Sequence, residues 1–295
     1  MDRVLISGAS GPIGTALVPS LEKTGAEIAR LVRGAARNAG QVSWDPLGDL
    51  RPAAVSGFRA VVHLAGESVV GRWTAAKKQA IRESRVRGTR SVASALARAE
   101  SKPQVLVCAS AIGFYGNRAD QILTEESASG SGFLAEVSRE WEAASKVAAK
   151  AGIRTVNLRI GLVLSGQGGA LPKMLTPFKM GLGGRLGSGK QWWSWIHVDD
   201  IIGAIHHVLE TESLSGPVNL VSPGPVRNQE FTNVLARVLA RPAFLPVPAF
   251  AARLALGEMA EELMLSSQRV EPAKLRTSGY RFQFEDLRAA LEDLV

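Results

Sequence analysis

Cysteine and long apolar runs are scarce in this 295-residue chain. Cys108 is the only cysteine, so no intrachain disulfide can form, which suits a reducing cytoplasm. The most apolar later stretch, residues 243–257, is interrupted by Pro246, Pro248 and Arg253 and is not expected to span a bilayer. The first predicted strand begins almost at once, without the charged and apolar regions of a secretory or transit signal. We therefore expect a cytoplasmic protein with no membrane partner.

The sequence also lacks the motifs of several other classes. It has no Gly-x-Ser-x-Gly and no Walker lysine after its glycine-rich loop, which argues against a hydrolase or an NTPase. One cysteine and four scattered histidines do not form a ligand set, so no metal site is predicted. The net charge is +8, but the basic residues are scattered without interleaved aromatics. Nucleic-acid binding is therefore not expected, and the excess charge is assigned to solvated surface and to an anionic ligand.

A glycine-rich stretch follows the first predicted strand. Residues 7–14 read Ser-Gly-Ala-Ser-Gly-Pro-Ile-Gly, and a helix is predicted over residues 13–24. Gly8 permits a turn, Gly11 removes a Cβ where a pyrophosphate approaches, and Gly14 permits close packing of helix and strand. Free N–H groups at the helix start favour phosphate. The predicted dinucleotide contacts in this stretch are Gly8, Ser10, Gly11, Pro12, Ile13 and Gly14.

The next predicted strand, Glu27–Val32, is followed by Arg33. An acidic residue at this strand end would bind the 2′-hydroxyl of NAD. A guanidinium instead pairs with a 2′-phosphate, so NADP(H) is predicted in preference to NAD(H). An ordinary solvent-facing arginine is the alternative interpretation.

Small residues end another predicted strand, over residues 58–64, and the helix after Thr74 is rich in arginine. The small side chains at the strand end would let the backbone lie along the cofactor. The arginines form a solvated face or meet anionic groups of the cofactor or substrate. The further predicted cofactor contacts are Leu64, Ala65, Gly66 and Arg85, and the other arginines of this helix are Arg82, Arg87 and Arg90.

Polar residues after the predicted strand 104–109 are candidates for catalysis. Ser110 would lie at the strand end, where its hydroxyl could orient a substrate carbonyl or hydroxyl; capping a turn is the alternative. Tyr115 has no cation beside it in the sequence, so its pKa is expected near ~10, and it would transfer a proton or line the substrate pocket. Glu136 would act as an acid or base only if desolvated; otherwise it faces water or a backbone amide.

The alternation of strands and helices predicts an α/β fold, a Rossmann-type doubly wound parallel sheet. After Gly161 glycines cluster, which indicates a substrate lid or a loosely held surface. We predict an NADP-binding domain over residues 1–165, to which residues 190–222 return. A smaller, mainly C-terminal substrate-binding α/β part would comprise residues 166–189 and 223–295.

Motifs along the whole chain resemble the extended short-chain dehydrogenase/reductase superfamily. Within it, the chain is more similar to an atypical "epimerase family" branch that carries its own C-terminal extension and whose members look NADP-binding. The superfamily motifs are residues 8–14, 63–66, 110, 159–161 and 197–200, and the branch motifs are residues 133–137, 181–184, 194–197, 245–248 and 256–258.

Two clusters lie near residue 195, and the resemblance implies a role for the first. His197, Asp199 and Asp200 would be structural, with an aspartate capping the next helix, rather than a metal site or catalytic dyad. Three tryptophans would stack a ring-shaped substrate or fill the interface with the C-terminal part; these are Trp192, Trp193 and Trp195.

One feature of active superfamily members is missing. They use a Tyr-x-x-x-Lys pair, in which the tyrosine transfers a proton and the lysine lowers its pKa. The two tyrosines here, Tyr115 and Tyr280, have no lysine four residues later, and the matching helix has Phe133 and Val137. Arg85 likewise stands where relatives with an Asn-x-x-Gly-Thr motif place asparagine.

Two functions are therefore compatible with the sequence. The first is an NADP-dependent oxidoreductase or epimerase that transfers hydride to or from a small hydroxyl or carbonyl compound, such as a sugar derivative. The second is a catalytically silent NADP-binding regulator or scaffold. The expected partner is a small-molecule substrate, and a homodimer is left open.

Overall fold

Strands and helices alternate along the chain, as the apolar runs and glycine breaks predict. The computed structural model describes residues 2–295, so residue 1 of the predicted first domain lies outside it. In chain order the strands are β1 (Arg3–Ser7), β2 (Glu27–Val32), β3 (Gln41–Ser43), β4 (Ala60–His63), β5 (Val105–Ala111), β6 (Ile122–Leu123), β7 (Arg154–Ile160), β8 (Leu162–Leu164), β9 (Trp192–Trp193), β10 (Trp195–His197), β11 (Gly216–Leu220), β12 (Val226–Arg227) and β13 (Arg269–Val270).

The helices lie on both faces of the sheet and in the C-terminal part. Within residues 2–295, no helix is both long enough and apolar enough to cross a bilayer. The α-helices are α1 (Pro12–Lys23), α2 (Ala75–Ala97), α3 (Phe133–Lys150), α4 (Leu171–Lys179), α5 (Val198–Glu210), α6 (Asn228–Val238), α7 (Ala249–Leu256), α8 (Ala273–Thr277) and α9 (Leu287–Leu294). Short 3₁₀ turns cover Pro52–Val55 and Ile112–Tyr115, and a π-helical turn covers Ala260–Leu265.

Seven parallel strands form the central sheet in the order β11-β7-β5-β4-β1-β2-β3. Alternate residues of β1 face different layers. Val4 and Ile6 belong to the core formed with α1 and α5, whereas Leu5 belongs to the core formed with α2. Burial on both faces is typical of a parallel sheet between two helical layers. The predicted doubly wound α/β fold is confirmed.

The order of the strands reverses between β1 and β4. From β1 the sheet extends through β2 to β3 on one side, and from β4 through β5 and β7 on the other. In open α/β sheets, ligands bind in the crevice at such a reversal, outside the carboxyl ends of the strands. The carboxyl ends of β1, β2, β4 and β5 therefore mark the expected site.

The C-terminal half adds one strand to the central sheet and also forms a core of its own. β11 pairs with β7, and β10 forms a separate two-stranded pair with β8. The C-terminal core gathers α4, α6 and α9 around Trp195. The predicted division into two parts at the stated boundaries stays a prediction.

The glycine-rich region after residue 161 is held by specific contacts. A Cβ on Gly184 would overlap the carbonyl oxygen of Leu245, because this segment lies directly against residues 245–247. The sequence predicts Asn228 as a helix N-cap, but Asn228 is the first residue of α6. Its Oδ1 instead accepts a hydrogen bond from the backbone N–H of Leu186 (2.8 Å), which fastens the segment to α6.

A fully buried carboxylate joins α5 to the C-terminal segment. Both oxygens of Asp200 accept backbone hydrogen bonds, from the N–H of Gln283 (2.8 Å) and of Phe284 (2.9 Å). The hydroxyl of Tyr280 donates to the same carboxylate (3.1 Å). One buried acidic side chain thereby satisfies three donors from the last part of the chain.

Replacing Asp200 by asparagine is expected to lower the free energy of unfolding by about 2–4 kcal/mol. An amide would point an N–H group at a backbone donor and remove the charge that strengthens the other bonds. Denaturant unfolding measures the change. The matched control is Asp199→Asn, whose side chain is mostly exposed and should cost less than about 0.5 kcal/mol. Equal costs for both variants would contradict this account of Asp200.

Candidate functional site

The predicted phosphate cradle forms at the end of β1. Gly8 has φ +72°, and a Cβ there would lie 2.8 Å from the backbone N of Ala65. A Cβ on Gly14 would overlap the carbonyl oxygen of Gly8. Gly14 therefore allows α1 to pack closely against the glycine-rich loop, whereas the sequence predicts close packing against the strand. Gly11 is the N-cap of α1 and supplies no capping side chain, and the first turn has no acidic residue. The first N–H groups of α1 therefore have no capping carboxylate, and the cradle fits a phosphate.

The remaining residues of the predicted cradle lie around this helix start. Ser10 and Pro12 are exposed, and Ile13 packs against the core. The glycine-rich loop reaches the cradle: a Cβ on Gly168 would lie 3.4 Å from the ring of Pro12. Part of the region predicted as a lid or loose surface therefore lies next to the cradle.

A buried pair joins the ends of β1 and β4. The Oγ of Ser7 lies 2.6 Å from Nδ1 of His63 and accepts a hydrogen bond from the backbone N–H of Ala65 (3.2 Å). Burial lowers the pKa of His63 to about 4, so its ring is neutral at pH 7. The pair holds Leu64 and Ala65 against Gly8, as the predicted cofactor contacts require. Sequence reasoning missed Ser7 and His63 in this role, although each is a polar residue at the end of an apolar run.

The predicted adenosine end brings several charged side chains together. Arg33 follows β2 and is exposed, as expected for a residue that meets a ligand or solvent. Arg85 lies against Gly66, whose Cβ position is 3.3 Å from Cζ of Arg85, and its Nη1 donates to the carbonyl oxygen of Glu67 (2.8 Å). Lys77 forms an ion pair with the Glu67 carboxylate (2.6 Å).

Two other arginines of α2, Arg82 and Arg87, have protein partners. Arg82 pairs with Glu136 (3.2 Å) and with Glu140 (3.4 Å). Arg87 donates to the carbonyl oxygen of Leu47 (2.7 Å). Glu136 is exposed and neutralised by Arg82, so it is not the desolvated acid that a catalytic role would need.

A buried polar network lies at the end of β5. Ser110 is 2% exposed, and its hydroxyl donates to Oε1 of Glu142 (2.8 Å). Glu142 also pairs with both Nε (2.8 Å) and Nη2 (2.9 Å) of the buried Arg159. Ser110 is therefore part of a charged network and does not simply cap a turn. Sequence reasoning missed Glu142, but an arginine inside the apolar strand β7 indicates that a buried counter-charge exists.

Tyr115 differs from its sequence interpretation in two ways. It does have a cation beside it, because Nη1 of Arg159 donates to its hydroxyl (2.9 Å). Burial raises the pKa of Tyr115 above its ordinary value, although Arg159 and Asn219 oppose that shift. Its hydroxyl donates to Oδ1 of Asn219 (2.7 Å) and to the carbonyl oxygen of Thr124 (3.0 Å). Because the side chain is fully buried, it does not line an open pocket.

The C-terminal extension caps α3, the helix that carries Glu142. Gly132 precedes α3 with φ +103° and has no capping side chain. The carboxylate of Glu262 fills this role: its two oxygens accept from the backbone N–H of Phe133 and of Leu134, each at 2.7 Å. Glu258 of the same segment pairs with Lys78 of α2 (2.8 Å). No local motif indicates this cap, because donor and acceptor are about 130 residues apart in sequence.

A cavity of about 820 Å³ lies between this C-terminal segment, α2 and the start of α3. Charged side chains of both signs line it; Lys78 pairs with Glu258, and Arg82 pairs with Glu136. It is separate from the cradle at the start of α1. Its charged lining residues are Lys78, Arg82, Glu136, Glu258 and Glu262.

The tryptophans join the central and C-terminal parts. Trp195 is fully buried and donates to the carbonyl of Gly224 (2.7 Å), and Trp193 packs edge-on against Phe231. Both therefore fill the interface, as one of the two interpretations predicts. Two guanidinium groups lie over the ring of Trp192, that of Arg227 at 4.6 Å from the ring centroid and that of Arg269 at 4.5 Å.

His197 caps α5, a role that the sequence assigned to an aspartate. Its Nδ1 accepts from the backbone N–H of Asp199 (3.1 Å), and its Nε2 lies 3.3 Å from Asp293. These three side chains place potential ligand atoms within 4.8 Å of one another, but Nδ1 already serves as the helix cap. His206 and His207 point to different partners, Ser20 and Ser278.

Replacing Glu262 by glutamine is expected to destabilise the protein by about 1–2 kcal/mol and to speed amide exchange over residues 132–137. A neutral amide keeps one acceptor but loses the charge and the second acceptor at the start of α3. Denaturant unfolding and hydrogen exchange measure the two effects. Glu261→Gln is the control, because Glu261 pairs with Arg253 inside the extension. Faster exchange in the control to the same extent would refute the cap.

Known proteins are similar to this chain over nearly its whole length. The sequence profile of the NAD dependent epimerase/dehydratase family matches residues 4–234, and a domain of unknown function (DUF1731) matches residues 247–294. The chain is 40% identical to epimerase family protein Mb2239 from Mycobacterium bovis over 290 residues, which cover 98% of this chain and 96% of the relative.

Two solved structures are also similar. The human epimerase family protein SDR39U1 (isoform 2), determined with NADPH, has 33% identity and a TM-score of 0.91 and covers 99% of this chain and 98% of its own. A nucleoside-diphosphate sugar epimerase from Corynebacterium glutamicum has 39% identity and a TM-score of 0.82, covering 99% of this chain but 58% of its own. The cradle, the sheet order and these matches agree: the chain belongs to the NAD dependent epimerase/dehydratase family, in the epimerase-family branch with a DUF1731 extension.

Proposed function

We propose that this protein binds NADP(H) at the start of α1 and transfers a hydride between the cofactor and a small hydroxyl or carbonyl compound. The observation that carries the proposal is the helix start without a capping carboxylate, framed by Gly8 and Gly11, with an exposed Arg33 at the neighbouring strand end. The similar human protein was determined with NADPH. Membership of the family supports the cofactor class, and Arg33 supports the preference for NADP.

Each part of the cradle has a distinct role in this proposal. The first N–H groups of α1 bind the pyrophosphate, and the backbone of Ala65 and Gly66 lies along the adenosine. The Arg33 guanidinium pairs with the 2′-phosphate. The bound nicotinamide would supply or accept the hydride.

At the end of β5, Ser110 orients the substrate. Its proton is donated to Glu142, so its oxygen lone pairs are available to accept a hydrogen bond from a substrate hydroxyl. Tyr115 supports the network by holding Arg159 and is not proposed to contact the substrate. The name of the C. glutamicum protein favours a nucleotide-linked sugar as the substrate class.

A catalytically silent NADP-binding regulator is the second candidate. Two features favour it: the Tyr-x-x-x-Lys pair is missing, and the hydroxyl of Tyr115 is buried and cannot reach a substrate. The two candidates share the cofactor site and differ only in turnover, so binding and exchange must be measured separately.

Replacing Arg33 by alanine is expected to weaken NADPH binding by about 10- to 100-fold, because a charge-assisted contact contributes about 1.5–3 kcal/mol. NADH affinity should stay within about twofold, since NADH has no 2′-phosphate. Titration of cofactor fluorescence measures both constants. Arg30→Ala is the control, because Arg30 pairs with Glu22 on the surface. An unchanged NADPH to NADH preference in Arg33→Ala would show that this residue is wrongly assigned.

Hydride exchange from C4-deuterated NADPH over a panel of carbonyl compounds and nucleotide sugars tests turnover. Ser110→Ala is expected to lower exchange by about tenfold or more while leaving NADPH affinity within about twofold, because one hydrogen bond to the reacting group is lost. The unmodified protein is the reference for both measurements. Exchange that depends on Ser110 excludes the silent regulator, and no exchange over the whole panel counts against the enzyme.

A further inference from the structure

A surplus of positive charge lies at the adenosine end of the cradle. Three cations carry it: Lys77 and Arg85 belong to α2, and Arg33, which follows β2, lies near enough for its charge to lower the pKa of Glu67. The carboxylate between them is Glu67, one residue beyond Gly66. Its Oε1 lies 2.6 Å from Nζ of Lys77, and its carbonyl oxygen accepts from Nη1 of Arg85 (2.8 Å).

All three cations act on this single carboxylate. A hydrogen bond from Lys77 is the main cause that holds the pKa of Glu67 below its usual value, and the charges of Arg33 and Arg85 add to it. Within residues 2–295, neither arginine forms an ion pair, and Lys77 pairs with Glu67 only. Three positive charges against one negative charge leave a surplus of two.

Arg85 shows that this surplus is not simply solvated. Burial lowers its pKa to about 10, so it remains charged at neutral pH, yet its Nη1 donates only to backbone carbonyls of Glu67 and Ile81. A partly buried guanidinium usually has an acidic partner. An anionic ligand bound beside Gly66 would supply that acidic partner.

We infer that Lys77 is a second ligand of the cofactor's 2′-phosphate, next to Arg33, and that Glu67 holds Lys77 in place until the phosphate displaces it. A phosphate monoester carries a charge of about −1.5 to −2 at pH 7, which matches the surplus of two. A ribose hydroxyl carries no charge and would leave the ion pair between Glu67 and Lys77 intact. The inference rests on the proposed NADP binding and adds a specificity-determining residue from α2.

Adenosine 2′,5′-bisphosphate and ADP are suitable probes, because they compare the adenosine end with and without the 2′-phosphate. Calorimetric titration of Lys77→Ala should show bisphosphate and NADPH binding weakened by about 5- to 30-fold, with ADP and NADH within about twofold. Lys78→Ala is the matched control: it is the adjacent residue of α2 but pairs with Glu258. Its affinities should match those of the unmodified protein.

Glu67→Gln should have the opposite effect. Removing the competing carboxylate leaves Lys77 free for the phosphate, so the bisphosphate should bind more tightly by about two- to tenfold, with ADP little changed. Opposite signs for Lys77→Ala and Glu67→Gln are not expected from a general loss of structure. Equal changes for bisphosphate and ADP in both variants would overturn the inference.

The two proposals fail in different ways. If Arg33→Ala loses the preference for the bisphosphate while Lys77→Ala keeps it, the role of Lys77 is wrong and the proposed NADP site stands. If the unmodified protein binds ADP and the bisphosphate equally, the proposed NADP preference is wrong, and the role of Lys77 with it.

Discussion

The positive end of α1 is the constraint on which the site depends. A helix start without a capping side chain must find acceptors elsewhere, and here its N–H groups open into the crevice where the sheet order reverses. Glycine is required around it for steric reasons, because a Cβ at residue 8 or 14 would collide with neighbouring backbone. The Ser7 and His63 pair then holds the end of β4 beside this loop, so that the backbone of Leu64 and Ala65 lies against Gly8.

A second constraint is the buried Arg159. A guanidinium inside β7 needs counter-charge, and Glu142 of α3 provides it with two hydrogen bonds. Ser110 and Tyr115 bond to the same pair, so the end of β5 is fixed by a network that crosses from sheet to helix. In relatives with a Tyr-x-x-x-Lys pair the helix supplies the reactive group; here α3 supplies a carboxylate that orients a serine.

The C-terminal extension has a defined structural role. Glu262 caps α3, and Glu258 binds Lys78 of α2, so the segment fastens both helices on one face of the sheet. Two residues at the start of α5 also hold the extension. Asp200 accepts hydrogen bonds from the backbone of Gln283 and Phe284, and His197 lies beside Asp293. The domain of unknown function is therefore joined to α2 and α3 by its own Glu258 and Glu262, and to α5 by the buried carboxylate of Asp200.

Local patterns in the sequence are enough to predict the fold class, the glycine-rich turn after β1 and the place of Arg33 after β2, because each depends on apolar runs of strand length or on residues at fixed spacing. The sequence also shows that the usual proton-transfer pair is missing. The environment of Tyr115 depends on tertiary contacts, since Arg159 lies 44 residues away in the chain and is brought beside it by the pairing of β5 with β7. The same holds for the caps by Glu262 and His197 and for the cluster of Arg33, Lys77 and Arg85 around Glu67. Such contacts join distant elements whose side chains meet only after the sheet has formed, and no local pattern encodes which of them become neighbours.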